Sequence, residues 1–359
     1  MADPFKTLDV ASRSEIVDAN APLSVSQHQY HIAGILTTVF GLDELPSEGS
    51  EVACLWLLHP RLASQERMTS IATAVIADWN AKMPRSESGY TRKGLIAVAF
   101  DQRNHGTRLV DPLANEAWKQ GNPRHAQDMF SIFQGTARDV SLLIDYIPSF
   151  VFPKSERQIS DNLVLGVSLG GHAAWSCILH EPRVSAGVVI IGCPDYVNLM
   201  ADRARLSKLP SWTESEAPGS KFLGSEDFPF SLLDVMGPML GISALRSESL
   251  PMPTESEQAS LRPLFERCLA GKRILNLSGG ADKLVPYHRG SAFLTWLKQA
   301  ISPNGWFAGK AVTLEDIIDE SAGHEVTPKM VDEAIRFIHE TLETDSAGPR
   351  TGSVRETKI

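Results

Sequence analysis

An α/β fold built on a mostly parallel, doubly wound sheet is predicted by three features of this sequence. Short apolar runs alternate with segments of helical periodicity along most of the chain. Runs such as Leu95–Phe100 and Ala186–Ile191 show no polar alternation, as parallel strands covered on both faces require. Finally, Gly166-Val167-Ser168-Leu169-Gly170 joins one such run, Leu163-Val164-Leu165, directly to an Ala- and Gly-rich segment of helical character.

The elements follow in order. Residues 23–31 and 32–41 are β-rich, and Val52–Leu58 is a third strand. Helical periodicity over residues 67–79 puts Ile71, Ala74, Val75 and Trp79 on one face, and Leu95–Phe100 follows as a buried strand. A long amphipathic helix spans residues 127–147, with Met129, Ile132, Ala137, Val140, Leu143 and Ile144 on its apolar side. The glycine-flanked serine turn comes next with its helix, then the strand Ala186–Ile191. Here the alternation stops. Residues 195–270 carry Pro, Ser, Glu and Gly in irregular order, yet Trp212, Phe222, Phe228, Phe230, Met236 and Met239 argue for burial. Regularity resumes with the strand Arg273–Leu277, a helix over 291–300 and a strand over 311–314. The last helix starts at Thr327-Pro328 and aligns Val331, Ala334, Ile335, Ile338 and Leu342. The expected organisation is an N-terminal extension (1–22), a core in two parts (23–194 and 271–343), an insertion (195–270) and a disordered tail (344–359).

The tight turn at Ser168 has a physical signature. Side chains two before and two after the serine would collide, so glycines hold both places and the hydroxyl is lifted on a strained backbone. A serine hydroxyl is a weak nucleophile at neutral pH and needs a base, which in turn needs a group to fix its tautomer. Asp282 sits in the loop Ser278-Gly279-Gly280-Ala281-Asp282 after a strand, and His324 in the loop before the last helix.

The chain order Ser168, Asp282, His324, the stretch from Gly279 to Pro286 with its G-x-x-D-x-x-V-P pattern, and Gly323-His324 before the final helix together resemble the α/β-hydrolase superfamily over roughly residues 25–343. The resemblance implies a sheet of about eight strands with a cap insertion after strand 6, lining an acyl pocket. It implies Ser168, Asp282 and His324 as the catalytic triad, and the backbone N–H of Leu169 as one donor of the oxyanion hole. The second donor would come from the loop after the third strand, where this chain departs from the usual His-Gly pattern and reads Leu57-Leu58-His59-Pro60-Arg61-Leu62. Proline has no N–H to give, so Arg61 is the expected donor, with Leu62 behind it. The Arg61 side chain is read as a solvated surface group, with pairing to an anionic substrate as the other option. Asp101-Gln102-Arg103-Asn104-His105-Gly106 matches a D-x-R-x-x-G brace of the same superfamily. Asp195 is a competing position for the triad acid, and His172 is expected to hydrogen-bond locally at the start of its helix.

Composition bounds the rest. Net charge is −9, from 34 basic and 43 acidic residues, with no basic run to follow a phosphate backbone, so nucleic acid is not an expected partner. Cys54, Cys177, Cys193 and Cys268 stand singly, without metal-ligand spacing, and read as buried thiols. No apolar run reaches the roughly 18 residues of a membrane span, and the first twenty residues have no signal-like apolar stretch, so a soluble cytoplasmic protein is expected. No G-x-G-x-x-G before a helix, P-loop or H-E-x-x-H occurs, and neither metal nor organic cofactor is implied. The expected reaction is hydrolysis of a carboxylic ester or thioester of a small to medium hydrophobic substrate through an acyl-Ser168 intermediate. Peptidases, carbon–carbon bond hydrolases and non-catalytic ligand-binding members share the fold and stay open. Oligomeric state is not legible.

Overall fold

The computed structural model describes residues 3–6, 24–47, 49–82, 93–214, 216–240, 250–344 and 354–358. Its strands are β1 (Gln27–Ile32), β2 (Ile35–Phe40), β3 (Glu51–Leu58), β4 (Gly94–Phe100), β5 (Gln158–Val167), β6 (Val184–Ile190), β7 (Arg273–Gly279), β8 (Thr313–Asp319) and β9 (Val354–Lys358). The α-helices are α1 (Thr69–Ala81), α2 (His125–Val151), α3 (Leu169–His180), α4 (Tyr196–Ser207), α5 (Pro210–Thr213), α6 (Phe230–Leu240), α7 (Glu255–Cys268), α8 (Tyr287–Ile301) and α9 (Pro328–Thr344). The strands form one sheet in the order β1-β2-β4-β3-β5-β6-β7-β8-β9. β1 pairs antiparallel with β2 and β2 with β4, and every other pairing is parallel.

Two apolar layers cover this sheet. On one side α2, α3 and α8 bury Phe133, Val140, Trp175, Ile178, Phe293 and Leu297; on the other α1 and α9 bury Val75, Trp79, Met330 and Ile338. The central strands are buried along nearly their whole length, which is why their sequences lack polar alternation. Strand crossovers of this kind bring the C-terminal ends of β3, β5, β7 and β8 to one edge of the sheet, where the loops meet.

Three stretches differ from expectation, and a fourth is more closely tied to the core than its name suggests. β8 runs over Thr313–Asp319 rather than 311–314, because its acids are structural. Asp316 is fully buried in mid-strand, accepts from Asn276 Nδ2 and Tyr287 OH at 2.8 Å each, and pairs with Lys298 at 2.9 Å. Helix α7 falls inside the 195–270 insertion but belongs to the sheet layers: Phe265 is buried against Trp296, Trp306 and Phe307, and Cys268 lies against His180. The stretch read as a disordered tail carries β9, in register with β8 from Leu314↔Val354 to Ile318↔Lys358. A parallel edge offers unpaired backbone groups, and the Val-Arg-Glu-Thr-Lys alternation suits a strand. Within the extension 1–22, residues 3–6 are packed rather than free: Phe5 is buried beside the α1–α9 layer, Pro4 O accepts from Val326 N at 2.7 Å, and Asp3 pairs with Arg67.

The rest of that extension, residues 241–249 of the insertion, the Met239 side chain and residues 345–353 of the tail lie outside the described residues. The remaining insertion is ordered around a cluster of rings. Phe222 packs on Trp118, Trp212 and Phe228, and Tyr196 on Phe130, Phe133 and Phe228 while its hydroxyl donates to Ala126 O at 2.6 Å. Phe230, by contrast, is exposed.

Asp316 gives a test of the buried polar network. Asp316→Ala removes the acceptor shared by Asn276, Tyr287 and Lys298 and is expected to lower unfolding free energy in urea by about 3–5 kcal/mol. A loss under about 1 kcal/mol would show that the network adds little.

Candidate active site

The β5–α3 turn is built as the sequence requires. Ser168 has φ 55° and ψ −111°, a left-handed conformation costly for any residue with a side chain. Its N–H donates to Ile190 O at 2.9 Å, tying the turn to the end of β6, and its own carbonyl accepts from His172 N at 3.0 Å. A methyl group at Gly166 would overlap the carbonyl of Gly170, and one at Gly170 would overlap the carbonyl of Leu58 at the end of β3. The two glycines therefore let the turn close and let β3 approach it.

Three side chains from distant positions meet there. Ser168 Oγ lies 2.9 Å from His324 Nε2, and His324 Nδ1 lies 2.8 Å from Asp282 Oδ2. With the proton placed on Nδ1, His324 donates to the carboxylate and accepts the serine hydroxyl hydrogen at Nε2. The other oxygen of Asp282 accepts from Leu284 N at 2.8 Å and Val285 N at 2.9 Å, which fixes the carboxylate plane. Burial works against ionisation of Asp282, but its hydrogen bond and charge interaction with His324 and the two backbone donors outweigh it and hold its pKa below the usual 3.8. Asp195, the competing acid, caps α4 by accepting from Asn198 N at 3.0 Å, and the partner of His324 Nδ1 is Asp282.

Leu169 is the first residue of α3, so its N–H is one of those with no acceptor inside the helix. The loop after β3 is held by a device the sequence does not advertise. His59 is fully buried, its Nε2 accepts from Gln102 N at 2.9 Å, its Nδ1 lies 2.8 Å from Pro60 O, and its carbonyl accepts from the Gln102 side chain. Burial lowers the His59 pKa to about 4, against the pull of the Pro60 carbonyl, so the ring is a neutral strut at pH 7. Leu62 has φ 61° and is exposed.

The Arg61 side chain is not the solvated group expected. It is partly buried, its Nη1 donates to Asn115 O at 2.9 Å, and burial, then the charge of Arg203, lower its pKa to about 10. His172 also departs from expectation. Its Nδ1 lies 3.0 Å from the carbonyl and 3.2 Å from the amide of Cys193, so it links α3 to the segment after β6 rather than to its own helix. Burial lowers its pKa to about 3.

The D-x-R-x-x-G segment knits the neighbouring loops. Asp101 accepts from Gln65 N at 2.9 Å and from Thr107 N and Oγ1 at 2.7 Å each. Arg103 and Arg108 converge on Asp139 of α2 at 2.9 and 2.8 Å. Gly106 is required because a side chain there would run into the Asp101 carboxylate. Between the acid loop and the insertion lies a cavity of about 330 Å³, lined by charged groups together with Trp118, Leu206 and Leu284. The insertion's aromatic side chains mostly pack against one another and α2.

No family model matches the chain, and no curated protein matches it. Solved structures do resemble it in shape. The protein TT1662 from Thermus thermophilus superposes with a TM-score of 0.51 at 18% identity, over 89% of this chain and 98% of that one. The acylaminoacyl peptidase of Pyrococcus horikoshii superposes with a TM-score of 0.50 at 11% identity over 89% of this chain, which spans only 41% of the peptidase. Together with the strand order and the serine turn, these define the architecture: the chain has the α/β-hydrolase fold. Among the described residues no helix is long and apolar enough to cross a membrane.

Asp282 yields a prediction with a definite sign. A carboxylate whose folded pKa lies below 3.8 adds stability that is fully present above 3.8 and is lost as pH falls through the folded value. Asp282→Asn should therefore melt below the native protein at neutral pH by a constant margin that narrows only below about pH 3.8. A margin unchanged down to pH 2 would contradict the ionised, bonded carboxylate described above.

Proposed function

We propose that this protein is a serine hydrolase that cleaves a carboxylic ester or thioester of a small to medium hydrophobic substrate through an acyl-Ser168 intermediate. The observation that carries the proposal is the continuous chain Ser168 Oγ, His324, Asp282, at 2.9 and 2.8 Å, mounted on a left-handed serine between β5 and α3.

Ser168 Oγ attacks the acyl carbon as its proton passes to His324 Nε2, and Asp282 stabilises the imidazolium that forms. The oxyanion receives the backbone N–H groups of Leu169 and Arg61. Collapse breaks the bond to the alcohol or thiol, which leaves with the proton from His324. Water then attacks the acyl-serine by the same route in reverse roles, releasing the acid and restoring Ser168. Asp101, His59 and His172 position loops and touch no reacting atom. The partner of the protein in this scheme is a small molecule rather than a nucleic acid or a membrane, and the four free, buried cysteines fit a reducing, cytoplasmic location.

The likeness to an acylaminoacyl peptidase keeps one competitor in view, an amide substrate on the same residues. Fluorophosphonate labelling of the native protein is expected at Ser168 and absent in Ser168→Ala. Hydrolysis of p-nitrophenyl butyrate is expected to fall by at least about 10⁴-fold in that variant. Faster turnover of matched acyl-peptide p-nitroanilides than of esters would move the assignment to peptidase. Rates on p-nitrophenyl esters that peak at acetate and vanish by hexanoate would rule out a medium-chain acyl pocket.

A further inference from the structure

The cavity beside the acid loop has an unbalanced lining. Its cations are Arg61, Lys119, Arg203 and Lys283, and its acids are Glu116 and Asp202. Asp202 is already held by Arg205 at 2.8 Å and Arg289 at 2.9 Å. Arg203 has only neutral acceptors. Its Nη1 donates to His125 Nε2 at 3.1 Å and touches Met129 Sδ at 3.1 Å, and its Nη2 donates to Leu284 O at 3.3 Å. Its Nε is buried with no hydrogen-bond partner, and among the described residues no carboxylate stands at ion-pair distance from it. His125 does not compensate: its Nδ1 lies 2.9 Å from Glu116 O, so the ring accepts at Nε2 as the neutral tautomer.

The position matters as much as the charge. Leu284, whose carbonyl receives Arg203, also gives its N–H to Asp282 at 2.8 Å, so this guanidinium is fastened to the loop that carries the triad acid. Arg61 stands on the loop after β3, within electrostatic reach of Arg203. Burial opposes the Arg203 charge first of all, Asp282 and Asp202 offset it only from beyond ion-pair distance, and a second guanidinium nearby adds to the cost. An anion beside Arg203 offsets that cost, and a planar fork suits a carboxylate.

We propose that Arg203, with Arg61 beside it, forms a subsite for a carboxylate on the substrate, so that the preferred substrates are esters or thioesters that carry a free carboxylate, such as monoesters of dicarboxylic acids. This rests on the Ser168 hydrolase assignment and specifies its substrate class. Trp118, Leu206 and Leu284 supply apolar wall for the carbon chain between the two ends, while Arg203 and Arg61 hold the far end. Burial, foremost, lowers the pKa of both arginines.

The test compares mono-p-nitrophenyl glutarate with p-nitrophenyl butyrate on the full chain. The native protein is expected to favour the anionic ester in kcat/KM by about tenfold or more, the scale of one charge-assisted hydrogen bond. In Arg203→Met, which keeps most of the apolar stem and loses the charge, the ratio should fall to about one through a raised KM for the anionic ester, and Arg203→Lys should lie between. Calorimetric titration with glutarate gives a readout independent of turnover: binding to the native protein, and loss of binding in Arg203→Met. If Arg203→Met does not fold, the native ester ratio, glutarate binding and Arg203→Lys decide. Equal rates on the two esters and no glutarate binding, in a protein whose Ser168 still reacts with fluorophosphonate, overturn the subsite and leave the hydrolase assignment standing. Glutarate binding that needs Arg203, without any reaction at Ser168, supports the subsite and overturns the hydrolase assignment instead.

Discussion

Everything at the site depends on the closure of one turn. Ser168 is held at a positive φ because its N–H is captured by Ile190 O of the neighbouring strand and because Gly166 and Gly170 leave room for the backbone to fold on itself. Such a conformation costs on the order of 1–3 kcal/mol and persists only where the surroundings over-determine it. Here the surroundings are the buried strands β3, β5 and β6, with Leu58 paired to Gly166 and Val167 to Ile190. The strain lifts the hydroxyl out of the helix toward His324. A stiff sheet thereby turns ordinary serine, histidine and aspartate side chains into an ordered hydrogen-bond chain.

Around that turn, loops from both ends of the sequence are fastened by neutral or fully paired groups. His59 anchors the loop after β3 to Gln102, His172 anchors α3 to Cys193, and Asp101 anchors the loop after β4 to Gln65 and Thr107. Even the short segment 3–6 takes part, since Pro4 O holds Val326 N two residues past His324. Arg203 stands out against this pattern as a cation among neutral acceptors.

Much of this was legible in the sequence, and for physical reasons. Strands buried on both faces read as plain apolar runs, and the glycines around Ser168 record backbone contacts that admit no side chain. The meeting of Ser168, Asp282 and His324 was legible because each sits at a recognisable junction: strand to helix for Ser168, strand end for Asp282, the loop before a helix for His324. What escaped had no local signature. Asp316 hid the second half of β8 because its partners Asn276, Tyr287 and Lys298 are far off in sequence. Helix α7 looked like part of the insertion because its packing residue, Phe265, meets rings from α8 and the loop after it. β9 was hidden in a polar tail because its pairing supplies only backbone bonds to the edge of β8. In sequence the Arg61 side chain reads as a solvated group, and Arg203 is a single arginine in a helix whose neutral hydrogen-bond acceptors are visible only in three dimensions.

The central claim is that Ser168 forms a covalent acyl intermediate, and the most direct measurement is reaction with a slowly released acyl group. Treating the protein with p-nitrophenyl N-methylcarbamate and following both p-nitrophenol and intact mass should give a burst of one equivalent, with the carbamoyl group on the peptide that contains Ser168. Steady p-nitrophenol release without an adduct, or an adduct on another residue, would contradict the account.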